Sequence, residues 1–303
     1  MSFATDTKKE LCCDVSTDVD VLRAELYAMI ILSRYFTSEK IVFKTENKQT
    51  ANRFMSLCTM LFSPIIERTE PLTNKSKTYT VKIIDSSDCK RIFEFFGHDD
   101  RDINLRVNRA NIPDANCERA FVRGAFLACG SVTDPDKGYH LELCVVHKNL
   151  CTDICKIIRE IEDCEVNIKI LNRNGSYIGY IKDSEQITDL LAFMGAQNSA
   201  MTIMGAKALK QVRNTINRRT NSEIANLQKV AGASAVQIQA INKLKKNGKF
   251  LTLSNELKEI ANLRLEYPEL SLRDMGEMLN PPISRSGVNH RLTKLIELSK
   301  EDE

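Results

Sequence analysis

Between Ser271 and Leu295 the chain reads SLRDMGEMLNPPISRSGVNHRLTKL, and the two adjacent prolines in its middle leave few ways to fold it. Leu272, Met275, Gly276 and Leu279 put small and apolar residues on one helical face, with Ser271 placed to cap the first turn. Asn280-Pro281-Pro282 must end that helix, because proline lacks an amide donor and pushes the residue before it out of the α region. Ser284 then caps a second helix, whose buried stripe is Val288, Leu292 and Leu295. Helix, tight break and helix make a helix-turn-helix. The opposite face of the second helix carries Arg285, Ser286, Asn289, His290, Arg291 and Lys294, with no acid before Glu297. Such side chains pair with phosphates and base edges, so this helix reads as a recognition helix for the major groove of double-stranded DNA. Arg285 and Asn289 sit early, where base edges are met; Arg291 and Lys294 sit later, where phosphate is clamped. Ser284 can cap or donate to phosphate, and His290 can touch DNA or pack.

The charge distribution agrees. Residues 1–199 hold 26 Lys and Arg against 29 Asp and Glu, whereas residues 200–303 hold 17 against 11, so the net +3 conceals a split of −3 and +6. Between Gly205 and Phe250 ten basic residues face a single acid, Glu223, an electrostatic footprint for a polyanion. Within it Arg213, Asn214, Asn217, Arg218 and Asn221 recur at helical steps as a stripe of donors, which makes Arg213 and Arg218 candidates for a second DNA contact.

Upstream the pattern alternates between helical and strand periodicity. Met1 to Thr17 is mostly polar and reads as a frayed start. A helix follows Asp18, then a strand near Lys40–Thr45, a helix over Thr50–Phe62, strands at Ile65–Glu70 and Tyr79–Ile84, and a helix over Ser87–Phe96. After a connector from His98 to Asp114 the order returns about a hundred residues on. Glu118–Cys129 is a helix, Tyr139–His147 a strand, Asn149–Ile161 a helix, Val166–Leu171 and Tyr177–Ile181 a hairpin turned at Asn174-Gly175, and Ser184–Phe193 a helix. This is a duplicated α/β unit, expected to pack about a pseudo-two-fold. From Ala200 the strands stop, and basic helices lead through Gly232-Ala233-Ser234 to a helix over Leu253–Glu266. The expected divisions are 1–97, 98–199, a basic helical linker 200–250, and a helix-turn-helix domain 251–303.

RAFVRGAFLACGS, Arg119–Ser131, resembles the LAGLIDADG helix of homing endonucleases, and the duplicated halves match that fold's αββαββ repeats. The resemblance implies an α+β fold in which two motif helices pack together and the final acid of each motif holds a catalytic divalent metal. Here that position is Cys129 before Gly130, the motif's earlier acid is Leu127, and in the first half, RAELYAMIILS (Arg23–Ser33), it is Leu32. Thiol and leucine cannot replace the oxygen ligands of a hard cation. A degenerate LAGLIDADG-like domain followed by an all-α helix-turn-helix domain resembles the WhiA family of bacterial regulators linked to sporulation and cell division. ELCC at Glu10–Cys13, RAFVRGAFLACGSVTDPDKGYHLE at Arg119–Glu142, VRNTINRRTNSEIAN at Val212–Asn226 and RLEYPELSLRDMGEMLNPPISRSGVNHRL at Arg264–Leu292 carry that resemblance, which covers nearly the whole chain. The departures are Cys129, where a small residue is expected, and a shortened polar segment after the first helix.

Other chemistry finds little support. His147, Cys151, Cys155 and Cys164 can be drawn as a zinc site, but cysteines on a helix are more often small buried hydrophobes, and no paired CxxC knuckle exists. All ten cysteines lie between Cys12 and Cys164, which fits reduced thiols rather than a disulfide framework. No GxSxG elbow and no phosphate-cradling loop is present, so no catalytic residues, no metal and no cofactor are expected. No tract of about 18 apolar residues is available to cross a bilayer. The expectation is a bacterial cytoplasmic, nucleoid-associated transcription regulator of cell division, chromosome segregation or sporulation. Its partner is double-stranded DNA, with RNA polymerase or another regulator as a further candidate and the oligomeric state left open. The alternative is an active metal-dependent DNA endonuclease targeted by the helix-turn-helix.

Overall fold

The computed structural model describes residues 2–13, 16–70, 78–101, 104–162 and 164–300. The chain divides into two units, residues 1–210 and 211–303.

In the first unit helix α1 spans Phe3–Leu11 and α2 spans Val19–Ile31, capped by the Asp18 carboxylate on the Asp20 amide. Strands β1 (Tyr35–Phe36) and β2 (Ile41–Thr45), helix α3 (Lys48–Phe62), strands β3 (Ile66–Thr69) and β4 (Tyr79–Ile83) and helix α4 (Ser86–Phe95) complete the first half. The second half repeats them: α5 (Ala115–Cys129), β5 (Gly130–Val132), β6 (Leu141–Val145), α6 (Lys148–Arg159), β7 (Lys169–Arg173), β8 (Ser176–Ile181) and α7 (Ser184–Met194). Each half makes one antiparallel sheet with the same strand order, β1-β2-β4-β3 and β5-β6-β8-β7. Even the caps recur. Asp85 starts α4 and Asp183 starts α7, each accepting from the amide two residues on. The β7–β8 hairpin turns at Asn174 and Gly175, with φ of 52° and 78°, the left-handed pair that matches strand twist.

The core of this unit lies around α2 and α5, where Leu26, Met29, Ile30, Phe121, Ala125 and Phe126 are buried. The two helices meet at Gly124, where an added Cβ would lie 2.4 Å from the Glu25 carbonyl oxygen and 3.0 Å from Ala28 Cβ. Glycine is needed there because the backbones approach too closely for a side chain.

Two expectations need correction. Residues 3–11 are not frayed: they form α1, which buries Thr7 and Leu11. The basic region is not several helices broken near Gly232 but one, α8, Gln197–Lys246. A single glycine costs a helix only about 1 kcal/mol, too little to break it unaided. In the first unit Ala200 and Ile203 of α8 are buried; in the second, Ala240, Ile241 and Leu244 are.

The second unit adds a 3₁₀ turn at Lys249–Thr252, then α9 (Asn255–Glu266), α10 (Leu272–Met278) and α11 (Arg285–Lys300). Ile241, Leu244, Ile260, Met275, Leu279, Val288, Leu292 and Leu295 form its core. Among the described residues no helix is long and apolar enough to cross a membrane.

Candidate nucleic-acid interface

The α10–α11 pair is the anticipated helix-turn-helix. Ser271 Oγ accepts from the Asp274 amide and starts α10. Gly276 makes the turn possible. Its carbonyl accepts from the Ile283 amide at 3.0 Å, and a Cβ there would lie 2.3 Å from the Ile283 carbonyl oxygen. Ser284 is the N-cap of α11, its Oγ accepting from the Gly287 amide at 3.2 Å. Val288, Leu292 and Leu295 are buried as the spacing requires. Rotated away from them, Arg285, Ser286, Asn289, His290 and Lys294 are all exposed. His290 therefore faces solvent rather than the core.

Arg291 behaves differently. It is half-buried and turns back onto α9, its Nη2 2.9 Å from Glu256 Oε2. Sequence could not show this partner, which lies 35 residues away on another helix. The segment entering α10 is fixed by Arg264, whose buried guanidinium donates to the carbonyls of Pro268 and Leu270, while Ser234 on α8 donates to Pro268.

Arg213 and Arg218 lie on a run of α8, residues 211–229, in which every side chain is exposed. Not all of the basic tract is available: Lys207 pairs with Glu185, Lys210 donates to the Pro135 carbonyl, and Lys245 lies 4.9 Å above the Phe250 ring.

The degenerate metal positions fall together. Leu32, Cys129 and Lys8 line one cavity of the first unit, together with Lys44, Glu46 and Asn47. Burial pushes the Cys129 thiol up to about 12, and its Sγ donates to the Ala125 carbonyl at 3.2 Å. Lys8 Nζ donates to the Leu127 carbonyl at 3.1 Å, at the negative end of α5. A protonated thiol and a leucine do not replace the oxygen ligands of a divalent cation at these two positions. Nor, among the described residues, do any three His, Cys, Asp or Glu side chains form a group able to hold a metal. Carboxymethylation in the native state is expected to reach exposed Cys13 and Cys144 first and to spare Cys129 and buried Cys58 until the chain unfolds, as peptide mass mapping would show.

The largest polar feature of the core has no counterpart in the sequence reading. Glu25 on α2 is fully buried and accepts from Arg53 on α3, at 2.7 and 2.8 Å, and from Arg123 on α5, at 3.1 and 2.9 Å. A signal was available. Glu25 and Arg123 are each the lone charge within an apolar helical run, AELYAMIIL and AFVRGAFLA, and buried charges need opposite partners.

Comparison with known proteins settles the family. Residues 118–213 match the description "WhiA LAGLIDADG-like domain" and residues 216–299 match "WhiA C-terminal HTH domain". The "Probable cell division protein WhiA" of Alkaliphilus metalliredigens is 34% identical, the match covering 100% of this chain and 98% of that protein. The chain belongs to the WhiA family. The WhiA of Thermoanaerobacter pseudethanolicus, likewise a "Probable cell division protein", is 35% identical over 99% of this chain and 98% of its own. The WhiA fold is seen in full in the crystal structure from Thermatoga maritima, with a TM-score of 0.61 at 24% identity over 99% of both chains. The isolated N-terminal LAGLIDADG domain of DUF199/WhiA matches with a TM-score of 0.52 at 20% identity, covering 65% of this chain and 91% of that one. The α+β LAGLIDADG-like domain and the WhiA C-terminal helix-turn-helix domain are thus both present.

Proposed function

We propose that this WhiA-family chain is a sequence-specific DNA-binding transcription regulator acting in cell division, chromosome segregation or sporulation, and that its LAGLIDADG-like unit is not a nuclease. The observation that carries the reading is the outward face of α11, where Arg285, Ser286, Asn289, His290 and Lys294 are exposed together over a packed stripe. In this reading Arg285 and Asn289 meet base edges, while Ser286, Lys294 and the Ser284 hydroxyl position the helix on phosphates. Arg213 and Arg218 add phosphate neutralisation from α8. Arg291 contributes by holding α11 against α9, and would reach phosphate only by leaving Glu256. The partner is double-stranded DNA, with RNA polymerase or another regulator as a further candidate. Absence of nuclease chemistry is supported by Leu32 and Cys129 at the metal positions, with Lys8 lining the same cavity.

The test is fluorescence anisotropy of the full chain on genomic duplexes across a salt series. Arg285→Ala with Asn289→Ala should cost about 100-fold or more on the preferred duplex, with little change on random DNA, since one good bidentate base contact contributes about 1–3 kcal/mol. Arg213→Ala with Arg218→Ala should weaken both duplexes alike and flatten the salt slope by about two. Unchanged binding in the first variant would remove α11 as the reader; Mg²⁺-dependent nicking of supercoiled DNA by the unmodified chain would reinstate the nuclease.

A further inference from the structure

A helix exposed on every side should carry no apolar stripe, yet α8 does. Within residues 211–229, Val212, Ile216, Ile224 and Leu227 are 59, 57, 47 and 68% exposed. Their spacing, with Thr220 between, keeps them on one face of the helix. Arg218, Asn214 and Asn221 lie on other faces, whereas Arg213 falls within the arc of the stripe at its N-terminal end.

The stripe is symmetric about its own centre. Ile216 and Ile224 lie four residues either side of Thr220, and Val212 and Leu227 lie eight and seven residues away. A second copy of this helix running antiparallel about Thr220 therefore sets Ile216 level with Ile224, and Leu227 level with Arg213, whose aliphatic stem lies beside Val212, at both ends. The flanking charges obey the same symmetry. Arg219 and Glu223 lie on one flank of the stripe, already paired within the helix at 3.0 Å. In an antiparallel pair a two-fold brings like flanks together, so Arg219 of each copy comes opposite Glu223 of the other and four charges alternate in sign. A parallel pair lacks this match, because it brings opposite flanks together and sets Arg219 and Glu223 beside Asn217 and Asn221 of the other copy.

We propose that two copies of this chain associate through residues 212–227 of α8, antiparallel about Thr220, leaving the Asn214, Arg218 and Asn221 side chains outside the contact. The interaction is isologous and needs no other component. It is independent of whether α11 reads DNA, because it rests on the apolar and charged pattern of α8 alone.

The experiment is sedimentation velocity of the full chain from about 0.5 to 50 μM. A concentration-dependent dimer is expected. Ile216→Glu with Ile224→Glu should shift the dissociation constant upward by at least about 100-fold, by placing like charges where apolar groups met. Arg218→Glu, on the other side of the helix, should leave it unchanged. Circular dichroism and the melting transition check that the double variant remains folded. The antiparallel sense is read by cross-linking in a background with Cys13→Ser and Cys144→Ser. Val212→Cys and Leu227→Cys chains should form an intermolecular disulfide when mixed and little when each is oxidised alone. A chain that stays monomeric to 50 μM, a dimer that survives Ile216→Glu with Ile224→Glu, or cross-linking of Val212→Cys to itself overturns the proposal. A stripe covered by another part of the same chain would appear as the first of these.

Discussion

Glu25→Ala is expected to destabilise the first unit by about 3–5 kcal/mol, a large share of the roughly 5–15 kcal/mol that holds an ordinary domain folded. The size follows from what remains. Glu25 is fully buried, the Arg123 side chain is 2% exposed and that of Arg53 9%, so removing the carboxylate leaves two guanidinium ions in a core with no opposing charge from that position. Neither can be neutralised by losing a proton at any working pH. Each is held by two hydrogen bonds to the same carboxylate, and α2, α3 and α5 are joined through it. Replacing all three by apolar residues of similar volume, Glu25→Leu with Arg53→Met and Arg123→Met, should cost much less than Glu25→Ala alone, because the desolvation penalty leaves with the charges. Urea unfolding followed by circular dichroism measures both. If Glu25→Ala costs less than about 1 kcal/mol, the cluster is solvated in solution and the interior is not as packed as it looks.

Gly276→Val is expected to disable the reader while the first unit stays folded. A β-carbon on residue 276 would sit 2.3 Å from the Ile283 carbonyl oxygen and 3.3 Å from Val288 Cγ2. The first obstacle is backbone, so no side-chain rotation can relieve it, and α10 must move away from the turn. Overpacking of this kind costs about 1–3 kcal/mol, and branching at the β-carbon adds to the crowding. This falls on a core of nine buried apolar residues, small enough for the loss to be a large share of its stability. Sequence-specific DNA affinity should fall to the non-specific level. Hydrogen exchange should show α10 and α11 losing protection while α2 and α5 retain it. Full affinity in Gly276→Val would mean that the close approach is not maintained in solution.

What could be read in advance divides along physical lines. Helices with long apolar periodicity, such as α2, α5 and α11, were legible because burial repeats every three or four residues. Proline and serine at fixed offsets marked the turn and the cap at Ser284. Strands β1 and β5 were not visible: two and three residues are too short for alternation to register. The first helix was missed for a different reason. Its polar residues look like a solvated end, but two of them make long-range bonds that only the fold reveals. Gly232 misled in the opposite direction, since its helix penalty is outweighed by the residues on either side. At the reader, the type of each side chain on α11 was legible, whereas the return of Arg291 to Glu256 depends on where α9 packs. The Glu25 cluster joins three helices from distant parts of the sequence, and only its lone charges hinted at it.

Those two polar residues of α1 are Lys8 and Glu10. Lys8 donates to the Leu127 carbonyl in the last turn of α5, and the Glu10 carboxylate accepts from the amides of Asn198 and Ser199 and from the Ser199 hydroxyl at the start of α8. Each charge lies at the helix end whose dipole it complements. Glu10 and Asn198 are 188 residues apart, so on the ribosome the group that fixes the origin of α8 is made long before the helix it fixes. During synthesis Glu10 can cap the first turn of α8 only after residues 198 and 199 have emerged. The cap thus ties the beginning of the first unit to its last helix: Glu10 is made 188 residues before the amide that completes the contact.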